Sequence, residues 1–216
     1  MSTPRSFGDV WASMAERLAP VVGPREAEGI VRAVREDVFQ EKSDADVPTA
    51  EEHALLDEIM NRLLAGEPVQ YVTGWAPFYG YMLEVTPDVL IPRPETEELV
   101  YEVLHHPAFA KKRGVRVLDV GTGSGCIAVA LARERPDWTV HAIDLSEKAL
   151  DVARRNAGRL GVDVAFRQMD VRDEAGWTAL PEFDLIVSNP PYIAPSERDQ
   201  LDAHVLEHEP ATALFV

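Results

Sequence analysis

The sequence predicts a small helical domain joined through a β-hairpin connector to a doubly wound α/β domain. Three observations carry this. No strand signal appears before Gln70, β-forming residues cluster with turn residues from Ala76 to Ile91, and strands alternate with helices after Gly114. Such alternation means a parallel sheet covered by helices on both faces. The expected boundaries are 1–75 for the helical domain, 76–93 for the connector and 94–216 for the α/β domain.

In the first domain, Phe7, Val10, Trp11, Met14 and Leu18 recur at the spacing of one helix face. Pro24 after Gly23 suits the first turn of a second helix, whose buried face is Ala27, Ile30, Val31 and Val34. Thr49 and Glu52 form a capping box for a third, with Leu55, Ile59 and Leu63 facing inward. In the connector, Phe78, Tyr79, Tyr81, Met82, Leu83 and Val85 are interrupted by Gly80 and Pro87. Pro94 then opens a helix with Glu95, Glu97 and Glu98 near its positive end. Beyond Gly114 the expected strands are Val115–Val120, Val140–Ile143, Val162–Phe166 and Phe183–Val187. Helices follow the first two, over Cys126–Arg133 and from a Ser146 cap to a stop at Gly161.

Composition narrows the function. Among 216 residues, 37 are acidic and 21 basic, a net charge of −16. Duplex nucleic acid is held mainly by Lys and Arg, so no direct nucleic-acid contact is expected. One cysteine, Cys126, leaves no internal disulfide and fits a reducing compartment. There is no membrane-length apolar run and no secretory signal, so the expected location is cytoplasmic.

Two stretches carry chemistry. Asp119-Val120-Gly121-Thr122-Gly123-Ser124-Gly125 lies between a strand and a helix, the setting of a nucleotide-type cofactor loop. Asp144, 23 residues after Gly121, ends the next strand, where a carboxylate can accept ribose hydroxyls. The glycine spacing is not that of dinucleotide binders. Asp119 would repel a diphosphate and attract an ammonium or sulfonium, which favours S-adenosylmethionine over NAD. The second stretch, Ser188-Asn189-Pro190-Pro191-Tyr192, follows the fourth strand. The Asn189 side-chain carbonyl and the Pro190 backbone carbonyl can accept both protons of an NH₂ group, and Tyr192 offers a face for a planar amide or base.

These motifs, with Gln70-Tyr71-Val72-Thr73-Gly74, Phe78-Tyr79-Gly80, Ile91–Glu97 and Cys126-Ile127-Ala128, closely resemble the protein-(glutamine) methyltransferases of peptide chain release factors, the HemK/PrmC family. The resemblance runs from about Glu67 to Leu214. It implies a Rossmann-like S-adenosylmethionine-dependent methyltransferase domain that methylates the glutamine amide of a Gly-Gly-Gln tripeptide in a release factor. By the same resemblance Gly121, Thr122, Gly123, Ser124 and Gly125 would cradle the methionine moiety and Asp144 the ribose. Asp170 and Val171 would lie beside the adenine. Asn189, shared with the cofactor, would hold the glutamine with Pro190, Pro191 and Tyr192, while Arg93 and Thr96 help close the site. Asn-Pro-Pro-Tyr alone also suits adenine amino-methyltransferases. A ribosomal-protein glutamine as substrate, or a non-catalytic cofactor-binding fragment, also stays open.

No metal site is expected. His204-Val205-Leu206-Glu207-His208 matches a zinc-peptidase pattern, but the segment reads as part of the methyltransferase resemblance. His105-His106 reads as a solvated helix end and Cys126 as a packing residue. The fold resembled has more strands than the four counted here, so the C-terminal strands are expected to be missing from this chain. Strand four would then be an exposed edge open to pairing, with the oligomeric state undetermined.

Overall fold

The structure, a computed structural model, describes residues 6–194, 196, 197 and 203–215, without the side chains of 203–205. It divides into two compact units, Met1–Gly74 and Trp75–Val216.

The first unit contains α1 (Phe7–Val22), α2 (Pro24–Val38), α3 (Ala50–Leu64) and the short α4 (Val69–Thr73). Ser6 with Asp9 and Thr49 with Glu52 form capping boxes at α1 and α3. Each box satisfies N–H groups that the helix cannot bond itself. Phe7 is central: its ring centroid lies 5.3 Å from those of both Trp11 and Phe39. The buried face of α3 is Leu56, Ile59, Met60 and Leu63, while Leu55 is exposed. This corrects the expected face by one residue, because Leu56 keeps the i, i+3, i+4, i+7 phase and Leu55 breaks it. Arg62 clamps Glu67 through two bonds of 2.7 and 2.6 Å and donates to the Tyr71 carbonyl at 3.0 Å. That fixes the chain entering α4.

The second unit opens on an antiparallel hairpin, β1 (Trp75–Phe78) and β2 (Tyr81–Glu84), turned by Tyr79 and Gly80. Helix α5 (Pro94–His105) follows, with Pro94 in its first turn. The central sheet is parallel, in the order β5 (Val164–Gln168), β4 (Thr139–Asp144), β3 (Arg116–Val120), β6 (Leu185–Ser188). Between strands run α6 (Cys126–Glu134), α7 (Glu147–Leu160) and the one-turn α8 (Glu174–Trp177); α9 (Ala203–His208) and α10 (Ala211–Leu214) follow β6. The third parallel strand starts two residues later than expected. The Val162 N–H turns back to the Ala157 carbonyl and closes α7, with Gly161 at φ +65°.

Alternation along β3 builds two cores. Val117 packs into a large cluster with Ile127, Leu131, Val140 and Val187. Leu118 joins Ile143 and Met169 on the other face, beneath Trp177, Leu180 and Phe183. The chain runs β3 to β4 to β5 in one direction, then crosses back to place β6 on the other side of β3. That reversal is the switch point at which open α/β sheets bind ligands, at their carboxyl edge. Among the described residues β6 is an edge strand, and no helix is long and apolar enough to cross a membrane.

Asn156 on α7 ties three segments together. Fully buried, it accepts from the Glu84 N–H at 2.7 Å and donates to the Glu84 carbonyl at 2.9 Å and the Ser124 carbonyl at 3.0 Å. Asn156→Ala leaves three backbone groups short of partners and is expected to cost about 2–3 kcal/mol. Denaturant unfolding checks this; a loss within about 0.5 kcal/mol would contradict the assignment.

Candidate functional site

The residues singled out in the sequence converge at the carboxyl edge of β3, β4 and β6. Asp119 lies on β3 on the same side as Val117, under the start of α6. Its exposure is 0%. Oδ2 accepts from Thr122 Oγ1 at 2.6 Å, and a backbone hydrogen bond from Ala128 also favours the charged form, while Oδ1 has no well-aligned donor. Burial pushes the Asp119 carboxyl up to about 7, the Thr122 hydrogen bond opposes this, and the charge of Asp144 adds to it.

The loop is closed by its own backbone. Gly121 and Thr122 N–H both donate to the Ile143 carbonyl, at 2.9 and 3.1 Å, and Gly125 N–H donates to the Thr122 carbonyl at 2.8 Å. Gly125 sits at φ +80°, and a Cβ there would lie 2.9 Å from Ala153 Cβ. Gly123, at φ +55°, donates its N–H to Asp144 Oδ2 at 2.9 Å. Asp144 Oδ1 accepts from the Ser146 N–H, also at 2.9 Å. Both oxygens are thereby aimed, and each keeps a lone pair for a further donor.

Beyond Asp144, Leu145 turns outward as an exposed apolar side chain, and Gln168 Nε2 holds its carbonyl at 3.0 Å. Val171 is likewise exposed, its carbonyl held by Trp177 Nε1 at 2.8 Å. The sequence reading missed Leu145; an apolar residue directly after the strand-end acid was the available signal. Asp170 has both oxygens engaged by Arg172, which holds its carboxyl down to about 2.

On the other side of β3, Ser188 Oγ donates to the Val120 carbonyl at 2.7 Å, pinning the start of the Asn-Pro-Pro-Tyr loop to the central strand. Asn189 Nδ2 donates to Thr96 Oγ1 at 2.9 Å. Oδ1 is then the end of the carboxamide left to accept from a substrate. Pro190 is exposed, Pro191 is partly buried and Tyr192 is 77% exposed. Arg93 pairs with Glu209 rather than standing free, at 2.5 Å. Cys126 is a poor thiolate source, because burial and the nearby Asp119 push its thiol up to about 12. His105 Nδ1 meets the Tyr101 carbonyl at the end of α5. The side chain of His204 lies outside the described residues, so the His204–His208 pattern has no geometry here.

This arrangement suits S-adenosylmethionine on two grounds. An orphaned carboxylate oxygen lies under the glycine loop, and a second carboxylate is fixed by the loop's own N–H. A cationic ligand fits the first and a diol the second.

The model of the methyltransferase small domain matches residues 99–214. The chain is 45% identical over 170 residues to a release factor glutamine methyltransferase of Streptococcus pneumoniae, covering 79% of this chain and 58% of that protein. A protein of the same name from Bacteroides thetaiotaomicron is 47% identical over 161 residues, covering 74% and 56%. The chain thus spans little more than half the length of these relatives. Among solved structures, a Pyrococcus abyssi tRNA (uracil-54, C5)-methyltransferase is similar at a TM-score of 0.43 and 21% identity, over 62% of this chain and 30% of that one.

The Asp119 carboxyl sets a pH dependence of stability. Its pKa is raised from 3.8 in the unfolded chain to about 7 in the folded one. The favourable contribution is therefore full below about pH 4 and lost as pH rises through about 7, on the order of 4 kcal/mol in all. Asp119→Asn should flatten the fall in melting temperature between these limits. Parallel melting curves for the two proteins would contradict the assignment.

Proposed function

The chain belongs to the methyltransferase small-domain family, and from that premise we propose that it methylates the side-chain amide nitrogen of a protein glutamine, using S-adenosylmethionine. The substrate we infer is the Gly-Gly-Gln glutamine of a peptide chain release factor. The reading is supported by relatives of that name at 45–47% identity over 161–170 residues of the chain. The observation that carries it is the Asn189 carboxamide, whose Nδ2 is taken by Thr96 so that Oδ1 is left to accept, followed by Pro190, whose backbone has a carbonyl and no N–H.

S-adenosylmethionine, when bound, supplies an electrophilic methyl group on a sulfonium. An amide nitrogen is a weak nucleophile because its lone pair is delocalised into the carbonyl. The residues here therefore act mainly by alignment and exclusion of water. Asn189 Oδ1 and the Pro190 carbonyl would accept the two N–H groups of the glutamine and aim its nitrogen at the methyl carbon, and the nitrogen gives up one of those protons to solvent as it takes the methyl group. Asp119 would face the cationic end of the donor, with Thr122 holding its other oxygen. Asp144 would accept from the ribose, and Leu145, Val171 and Asp170 would lie beside the adenine. Tyr192 and Pro191 cover the acceptor. Release factors work at the ribosome, so this reading implies a cytoplasmic enzyme.

The test is incubation with methyl-labelled donor and, in parallel, a release factor, ribosomal proteins and DNA, followed by location of the label. Label on the Gly-Gly-Gln glutamine is expected; label confined to ribosomal protein or adenine would transfer the proposal to that substrate. Asn189→Ala should lower methyl transfer by about 100-fold at saturating donor. Near-wild-type transfer by that variant would remove the assigned role.

A further inference from the structure

The first turn of α5 holds both ends of the segment that runs on from the Asn-Pro-Pro-Tyr loop. At one end Asn189 Nδ2 donates to Thr96 Oγ1 at 2.9 Å. At the other, Arg93 Nη2 donates to Glu209 Oε1 at 2.5 Å. Thr96 is 5% exposed and the Glu209 side chain 2%, so water does not readily replace either partner. The turn itself is stiff: Pro94 fixes its φ, and the Thr96 N–H donates to the Arg93 carbonyl at 3.0 Å. Arg93 and Thr96 are therefore held in a set relation, and with them Asn189 and Glu209.

The consequence lies in the symmetry of a carboxamide. Its two ends have nearly the same shape and opposite hydrogen-bonding sense, and here it is the Nδ2 end that Thr96 Oγ1 takes. A flipped Asn189 would present N–H groups to the N–H groups of the acceptor amide, and transfer would lose its alignment. Thr96, assigned above by resemblance to help close the site, has its hydroxyl oxygen on Asn189. We propose that Thr96 is a positioning residue that, by accepting from Asn189 Nδ2, holds the carboxamide in place with Oδ1 left for the substrate. In the same inference Glu209, acting through Arg93, anchors the far end of the Asn189–Glu209 segment on the same helix turn. The kinetic consequences rest on the glutamine-methyltransferase reading; the orientation of Asn189 does not.

The test compares Thr96→Val and Thr96→Ala, which lack the hydroxyl, with Thr96→Ser, which keeps it, and adds Glu209→Gln. Three quantities are read: solvent exchange of the Asn189 side-chain amide protons by NMR, donor affinity by calorimetry, and kcat and KM for release factor. Both hydroxyl-free variants should exchange these protons about tenfold faster and lose about tenfold in kcat, with donor affinity within about twofold. Thr96→Ser should restore both quantities. Glu209→Gln should raise KM for the release factor severalfold with donor affinity kept. Unchanged exchange in the hydroxyl-free variants, a kcat loss that Thr96→Ser fails to restore, or a parallel loss of donor affinity would overturn the role of Thr96. An unchanged KM in Glu209→Gln would overturn that of Glu209. If the unsubstituted chain transfers no methyl group to release factor, the functional reading fails, and amide exchange still decides whether Thr96 holds Asn189.

Discussion

A carboxylate withdrawn from water at the end of the central strand constrains much of what surrounds it. Asp119 is fully buried, yet only one of its oxygens has a well-aligned hydrogen bond within the protein. Burying an ionised group without a full set of partners is costly, so burial raises this carboxyl to about 7 and favours its protonated form unless a cation faces it. The neighbourhood follows from that. Thr122 supplies the one hydroxyl partner, the start of α6 lies above with its positive end, and the loop reverses direction tightly enough to leave the carboxylate beneath it.

The rest of the second unit holds that loop and the acceptor loop in fixed relation to β3. Asp144 reaches across from β4 to the Gly123 N–H. Asn156 ties the Ser124 carbonyl to β2, and Ser188 pins the Asn-Pro-Pro-Tyr loop to the Val120 carbonyl. Each bond crosses between elements far apart in sequence. The glycine loop and the Asn-Pro-Pro-Tyr loop, on neighbouring strands, are thus braced from behind, and the sheet fixes their relative placement.

Much of this was legible in the sequence, for identifiable reasons. The Thr49–Glu52 cap, the Pro94 helix start and the glycine loop are local signals, set by groups a few residues apart. The parallel sheet could be read because each of its strands is a short apolar run between turn residues. What could not be read depends on partners distant in the chain. Asn156 looks like an ordinary polar residue of an amphipathic helix until β2 and Ser124 are brought to it. Thr96 and Asn189 stand 93 residues apart, and Arg93 and Glu209 stand 116 apart. No local pattern marks such pairs. The Leu55 and Leu56 misassignment is of another kind, since two adjacent leucines leave the helical phase open until the neighbouring helices choose one.

The most direct test of the account is the proton balance of donor binding, measured by titrating S-adenosylmethionine into the chain in buffers of different ionisation enthalpy. If Asp119 sits near pH 7 when free and ionises to meet a cationic ligand, binding releases about half a proton at pH 7 and close to one at pH 6. Asp119→Asn abolishes that release. Binding with no proton exchange at either pH, or the same release from the Asp119→Asn variant, would contradict the central place given to this carboxylate.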